Sequence, residues 1–312
     1  LVYVPDSSPY GSTVTVISQR TRRVVRTIDV GHLSQHVVPS YGLHRLYTNS
    51  SSSNELVRID PRTGEKVRRL PVPRPYNLYF TPDGKQAVVM VEENDVIRFS
   101  DPVTFRARDD LHVDSCRGPN HADFSANGRF MVITCEFSGV LLEVGTTDHK
   151  VLHVLHLPAG SMPQDVRVSP DGRLFYVADM GTDEVRMISS ATFQQVGTIR
   201  TPSDPHGLYP SRDARLLYVS DRGAGKVSVI SFRTHRIVDT WTIPGGGSPD
   251  MGGVSADGKQ LWLSGRYDSV VYVFDTRTGH LLSRIPVPGQ PHGLCVWPQP
   301  GRYSLGHTGN MR

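Results

Sequence analysis

The stretch SDPHGLYPSRDARLLYVSDRG, Ser203 to Gly223, decides the fold. It holds a Pro-His-Gly, a short alternating run, the turn SRDA and a second alternating run, RLLYVSD. Alternation of apolar and polar residues marks half-buried strands, and a tight polar turn between two such runs marks a hairpin. QPHGLCVWPQPGRY, Gln290 to Tyr303, repeats the arrangement around His292.

Working outward, the turn recurs along the chain: PSYG at Ser40, TPDG at Thr81, SANG at Ser125, SPDG at Ser169, SRDA at Ser211, SADG at Ser255 and a degenerate WPQPG at Trp297. The spacings are 41, 44, 44, 42, 44 and 42 residues. A period in this range, with alternating strands and Asp-Gly-type turns, is the signature of a propeller blade. Each unit reads as an innermost strand A (GLYPS), strand B (RLLYVSD), a loop (RGAGK), strand C (VSVISF), a turn (RTHR) and strand D (IVDTWTI). The C–D turns DPRTGE and DTRTGH keep the same grammar.

The ends predict closure. Leu1 to Val30 reads as strands B, C and D, and the last unit supplies only a strand A, Gly293 to Trp297. Together they complete one blade and remove the edge that an open ring would leave. The expectation is one all-β domain over 1–312, a seven-bladed β-propeller of four-stranded antiparallel blades. Residues 301–312 form a tail whose His307 and Arg312 could cross a channel mouth or be disordered.

LYVSD, FYVAD and LYTNS at the ends of B strands, with PHG before A strands and SPDG after them, resemble the YVTN-type β-propeller repeat family. The resemblance spans nearly the whole chain. It implies the propeller fold and leaves the activity open, because similar propellers include secreted surface proteins, lactonases and lyases, and haem-binding nitrite reductase domains.

Composition narrows the classes. The net charge is +4 with a pI near 9.0, too weak over 312 residues to argue for nucleic acid. The clusters RTRRVVR (Arg20 to Arg26) and KVRRL (Lys66 to Leu70) read as solvated strand edges, where positive charge discourages edge pairing. No run is long and apolar enough for a transmembrane helix. The chain starts at Leu1, compatible with a cleaved leader or a trimmed chain. A secreted or cell-envelope location is favoured over a cytoplasmic one, and a monomer is expected.

The histidines form a set. Residues just before strand A lie at one mouth of the central channel. The two positions five and four residues before each turn anchor are Gln35-His36, Tyr76-Asn77, Asn120-His121, Gln164-Asp165, His206-Gly207, Asp250-Met251 and His292-Gly293. The B–C loops open at the same mouth and carry Asp6, Glu92, Glu93, Glu136, Asp179, Asp221, Arg222, Arg266 and Tyr267. The expected ligand-binding set is His36, Asn77, His121, Asp165, His206, Asp250, His292, Glu136, Arg222, Arg266 and Tyr267. Imidazole and carboxylate together suit a divalent metal, for which His36, His206 and His292 are candidates, or proton transfer near neutral pH, for which His206, His292 and Asp250 are candidates. An ordinary role competes at each position: Pro fixes the strand entry, Gly permits close approach, and His caps backbone groups.

Other motifs dissolve within the repeat. HKVLHVLH holds His149, His153 and His156, but it falls on a C–D turn and strand D, where His153 and His156 point to opposite faces. PGGGSPDMGG (Pro244 to Gly253) lacks the Lys-Ser or Lys-Thr of a P-loop and reads as a D–A loop. No GxSxG elbow is present. Cys116 and Cys135 fall near the channel mouth of one blade, as a disulfide, free thiols or a soft-metal pair, and Cys295 reads as a buried residue of strand A.

Two classes remain. One is a non-catalytic propeller that holds a small molecule, metal ion, glycan or protein at its mouth; this is the preferred reading. The alternative is a non-redox enzyme (a lyase, lactonase or cyclase) with its site at the same mouth. No cofactor is evident; a divalent metal remains a candidate.

Overall fold

A computed structural model of the chain describes residues 1–298. The tail expected over 301–312, with His307 and Arg312, lies outside the described residues. Seven four-stranded antiparallel sheets follow one another around a ring. We number them I to VII, blade I being Ser34–Pro71, and letter their strands A to D from the channel outward. Blade V shows the pattern: strand A is Pro205–Pro210, B is Leu216–Asp221, C is Lys226–Ser231 and D is Arg236–Thr242. Strands A to C are buried on both faces, because neighbouring blades cover them, whereas most of strand D faces solvent.

The recurring turn has a local cause. Ser211 Oγ donates to Asp213 Oδ1 at 2.6 Å, while the Arg215 and Leu216 amides donate to Asp213 and Ser211. The pairs Thr81–Asp83, Ser125–Asn127, Ser169–Asp171 and Ser255–Asp257 repeat the first bond. The next residue takes a left-handed conformation, φ 69° at Gly84 and 74° at Gly258. Glycine adopts it without steric cost; Ala214 adopts it in SRDA at φ 57°.

Blades join through apolar faces and buried hydroxyls. Between V and VI, Tyr209, Val227 and Trp241 pack with Val254, Leu263 and Phe274. The Gly252 amide donates to the Tyr209 hydroxyl at 2.7 Å. Gly252 is required there, since a Cβ would overlap the Trp262 carbonyl oxygen.

Ring closure follows the sequence reading. Val2–Pro5, Thr13–Ser18 and Arg23–Asp29 form B, C and D of blade VII, and Cys295–Val296 is strand A, with Tyr3 opposite Cys295 and Val2 opposite Val296. That strand is shorter than the expected Gly293 to Trp297. The preceding chain bonds sideways to blade I instead: the Val37 amide donates to the Gly293 carbonyl and the Gly293 amide to the Gln35 carbonyl. Among the described residues no helix is long and apolar enough to cross a membrane.

Candidate functional site

In blade V, Pro-His-Gly does not precede strand A but forms its first, bulged segment; in blade VII it stands before the short strand Cys295–Val296. In blade V, Pro205 pairs with Asp221 and Leu208 with Val219, so His206 and Gly207 together oppose Ser220. The same register shift places Gln35-His36, Asn120-His121, Gln164-Asp165 and Asp250-Met251 two against one in blades I, III, IV and VI. A β-bulge re-aims side chains that strict alternation would send to opposite faces. Hydroxyls of strand B hold it: Gly207 N donates to Ser220 Oγ at 2.8 Å, Met251 N to Ser264 Oγ at 3.2 Å, and His121 N to Thr134 Oγ1 at 3.2 Å.

Asp250 is the hub of one side of the channel. His292 Nδ1–H donates to its Oδ2 at 2.8 Å. His206 Nδ1 lies 3.1 Å from Oδ1, close but off the hydrogen-bond angle. Arg222 and Arg266 reach the same two oxygens at only 3.6 and 3.7 Å. Those distances exceed a hydrogen bond, so both guanidinium groups keep donors for another oxygen atom. The two side chains are 12% and 20% exposed, whereas Asp250 and His292 are fully buried. Burial holds the His206 imidazole well below the ordinary 6.5 against the pull of Asp250, with Arg222 and His292 reinforcing it. His206 is therefore a neutral imidazole at neutral pH.

The rings interlock across the channel. His36 packs on His292 at 4.8 Å between centroids, on Tyr76 at 5.2 Å and on His121 at 5.5 Å; His206 stands 5.7 Å from His292. The three histidines offered as metal ligands are thus brought together, but as rings packed at tilted and edge-to-face angles. Among the described residues no three His, Cys, Asp or Glu side chains converge as a metal-holding group. Tyr76, the window partner of Asn77, contributes more than expected: its hydroxyl donates to His292 Nε2 at 3.3 Å. Asn77 Nδ2 donates to Tyr79 Oη at 2.7 Å and to His121 Nδ1 at 3.2 Å.

Glu92 and Glu136 complete the other side. Each opens a single 3-10 turn in the B–C loop of its blade, Glu92–Asn94 in II and Glu136–Ser138 in III. Asn120 Nδ2 donates to Glu136 Oε2 at 3.0 Å. Burial, then the neighbouring Glu136, push the Glu92 carboxyl well above its ordinary 4.5, against Arg266. Burial, then Glu92 and Glu136, raise the Tyr76 hydroxyl, which stays a donor. Tyr267 is 64% exposed at the rim, with the Arg222 guanidinium 5.6 Å from its ring centroid.

Other acidic residues serve the scaffold. Asp165 is buried, accepts the Val166 and Leu208 amides at 2.9 Å each, and faces the buried Arg167 at 3.3 Å. It joins blade IV to blade V. Asp179 takes Arg186 Nε–H at 2.6 Å and the Met162 amide at 2.8 Å. Asp6 caps Ser8 and Gln290 amides, and Asp221 accepts Ser228 Oγ–H. Cys116 and Cys135 form a disulfide with Cα atoms 5.1 Å apart, and Cys295 is buried. His149 stacks on Phe99 and His153 bonds Glu143, both away from the channel cluster.

Comparison with solved structures shows the fold. A functionally unknown protein from Desulfotomaculum acetoxidans superposes with a TM-score of 0.78 at 14% identity, over 94% of this chain and 98% of that one. Kuenenia stuttgartiensis hydrazine synthase gives 0.67 at 17%, over 83% and 88%. The dihydro-heme d1 dehydrogenase NirN in complex with DHE gives 0.72 at 14%, over 95% and 74%. No curated protein matches the sequence. The family model described as YNCE-like beta-propeller matches residues 9–301. Nearly the whole ring falls within that match, and the chain belongs to this YVTN-type family, the YNCE-like β-propellers.

Proposed function

We propose that the protein is a binding propeller that takes a small oxyanion-bearing ligand, such as a carboxylate, at the mouth above Asp250. The observation that supports this most is the pair Arg222 and Arg266. Both stand at the mouth, and both hold back from Asp250 at 3.6 and 3.7 Å. A ligand oxygen inserted between them would gain charge-assisted bonds, with neutral His206 and the Tyr76 hydroxyl beside it. Glu136 and Tyr267 would border the same ligand.

A second reading is favoured by the His206–Asp250 contact of 3.1 Å. A neutral imidazole beside a buried carboxylate is suited to proton transfer, as a lyase, lactonase or cyclase would need. The binding reading needs fewer parts.

Calorimetric titration of the full chain with succinate, with ZnCl2 as the contrasting probe, tests the proposal. Succinate binding should weaken by about 100-fold or more in R222Q/R266Q, since each of two lost charged hydrogen bonds is worth about 1.5–3 kcal/mol, and it should also weaken in H206A/H292A. Equal affinity in all three proteins, or stoichiometric zinc uptake without succinate binding, would overturn it.

A further inference from the structure

The charge of this chain is unevenly placed. Residues 1–75 hold 11 Lys and Arg against 5 Asp and Glu, a net +6, whereas the whole chain is +4. The remainder is therefore net acidic. Residues 1–75 build strands B to D of blade VII and all of blade I, which are neighbours in the ring. Their outer strands, Arg23–Asp29 and Lys66–Pro71, lie side by side. Lys66 Nζ is 3.6 Å from the Asp29 carboxylate, and a Cβ on Gly64 would sit 3.3 Å from Arg26 Cδ.

Part of this charge is neutralised locally: Arg69 pairs with Glu55, and Arg45 with Asp60. Arg20, Arg22, Arg23, Arg26 and Arg68 form no ion pair among the described residues, and all but Arg22, which is half-buried, are exposed residues of the rim. Between them stand two exposed apolar residues, Val24 at 43% and Val25 at 56%. A charge on an edge strand is enough to blunt self-pairing. Five unpaired arginines on adjoining blades exceed that need.

We propose that the outer rim of blades VII and I docks the protein onto an anionic lipid surface. The arginines are spread along a strand edge instead of converging on one anion, which fits a field of headgroups better than a single ligand. The interleaved valines fit the interfacial zone, where apolar contact adds to charge attraction. A nucleic acid would share the charge term, but neither outer strand carries an aromatic side chain on which a base could stack.

Co-sedimentation of the full chain with phosphatidylglycerol–phosphatidylcholine vesicles, against pure phosphatidylcholine vesicles, tests this. The chain should pellet with the anionic vesicles only, and salt above about 0.15 M should release it as the Debye length falls below ~8 Å. R20Q/R22Q/R23Q/R26Q/R68Q should lower partitioning by about 3,000-fold, at roughly fivefold for each of the charges removed. The control K85Q/R173Q/R215Q/K259Q removes four exposed cations of the A–B turns elsewhere on the ring and should change it by less than about threefold. Equal losses in both variants, equal binding to neutral vesicles, or double-stranded DNA binding at these arginines without vesicle binding would overturn the proposal. The salt response of the unaltered chain is read independently of whether the fivefold variant folds.

Discussion

Replacing Asp250 with asparagine keeps the shape of the hub and removes its charge. The two imidazole Nδ1 atoms, at 2.8 and 3.1 Å, and the two guanidinium groups, at 3.6 and 3.7 Å, all lose their carboxylate. Breaking a buried ion pair from one side costs about 3–5 kcal/mol. Here the arginines are 12% and 20% exposed and not in hydrogen-bond contact, so water recovers part of the loss. The expected cost is about 2–3 kcal/mol. With a melting entropy near 2.1 cal/mol/K per residue, that lowers the Tm of a chain of this length by about 3–5 °C. Asp165→Asn is the internal standard. Asp165 holds two backbone amides and faces Arg167, which is only 4% exposed, so water recovers less and the drop should be larger. Thermal unfolding followed by circular dichroism at neutral pH reads both. A Tm change below about 1 °C in D250N, or a change in D250N larger than in D165N, would refute the view that Asp250 balances a mouth open to solvent while Asp165 holds the frame.

Three further outcomes follow from the same contacts. Glu92 is raised above 4.5 in the native state, so its contribution is intact below that pH and declines as pH rises towards its native pKa, because the unfolded chain ionises first; urea unfolding should show E92Q gaining stability over the unaltered protein as pH rises above 4.5, and a constant or shrinking difference would contradict this. The Cys116–Cys135 bridge spans 19 residues, and C116S/C135S should lose about 3 kcal/mol, seen as a lower urea midpoint; no difference, with no effect of reductant on the unaltered chain, would count against the bridge. Gly293→Ala drives a Cβ into His36 Nδ1, so it should destabilise by about 1–3 kcal/mol through overpacking, and His36→Ala in the same chain should restore part of that by opening space; no rescue would place the strain elsewhere.

Much of the ring was legible because its grammar is local. A Ser or Thr two residues before an Asp or Asn makes its own turn, as at Ser169 and Asp171, and such a turn can be read without knowing its neighbours. Which window residue faces the channel was not legible, because the bulge that sets it depends on strand B opposite. Ser220 and Ser264 carry the signal, but a serine near a strand end looks ordinary until its partner is known. Asp165 and Asp250 occupy similar windows yet differ in role. Arg167 and the Leu208 amide claim the first, whereas the imidazoles and guanidinium groups claim the second. Leu208, His206, Arg222 and His292 come from neighbouring blades, whereas Arg167 and Arg266 belong to the same blade as the carboxylate they face. The pairing of Glu92 with Glu136 was hidden for the same reason, since two carboxylates 44 residues apart meet only once the ring curves.

The two-residue strand Cys295–Val296 has a consequence for the order in which the molecule is made. Strands Val2 to Asp29 leave the ribosome before the rest of the ring, yet the inner partner of Tyr3 is Cys295. At roughly 5–20 residues per second, the roughly 270 residues between them take about 15–50 s to synthesise. Throughout that interval the first three strands have an unpaired inner edge, Val2 to Pro5, rich in β-branched and aromatic residues. The arginines of strand Arg23–Asp29 guard the outer edge of the same sheet; the inner one has no such guard. Nascent chains interrupted before residue 295 should therefore be the aggregating species, and the last residues of the ring act as a timer on its solubility.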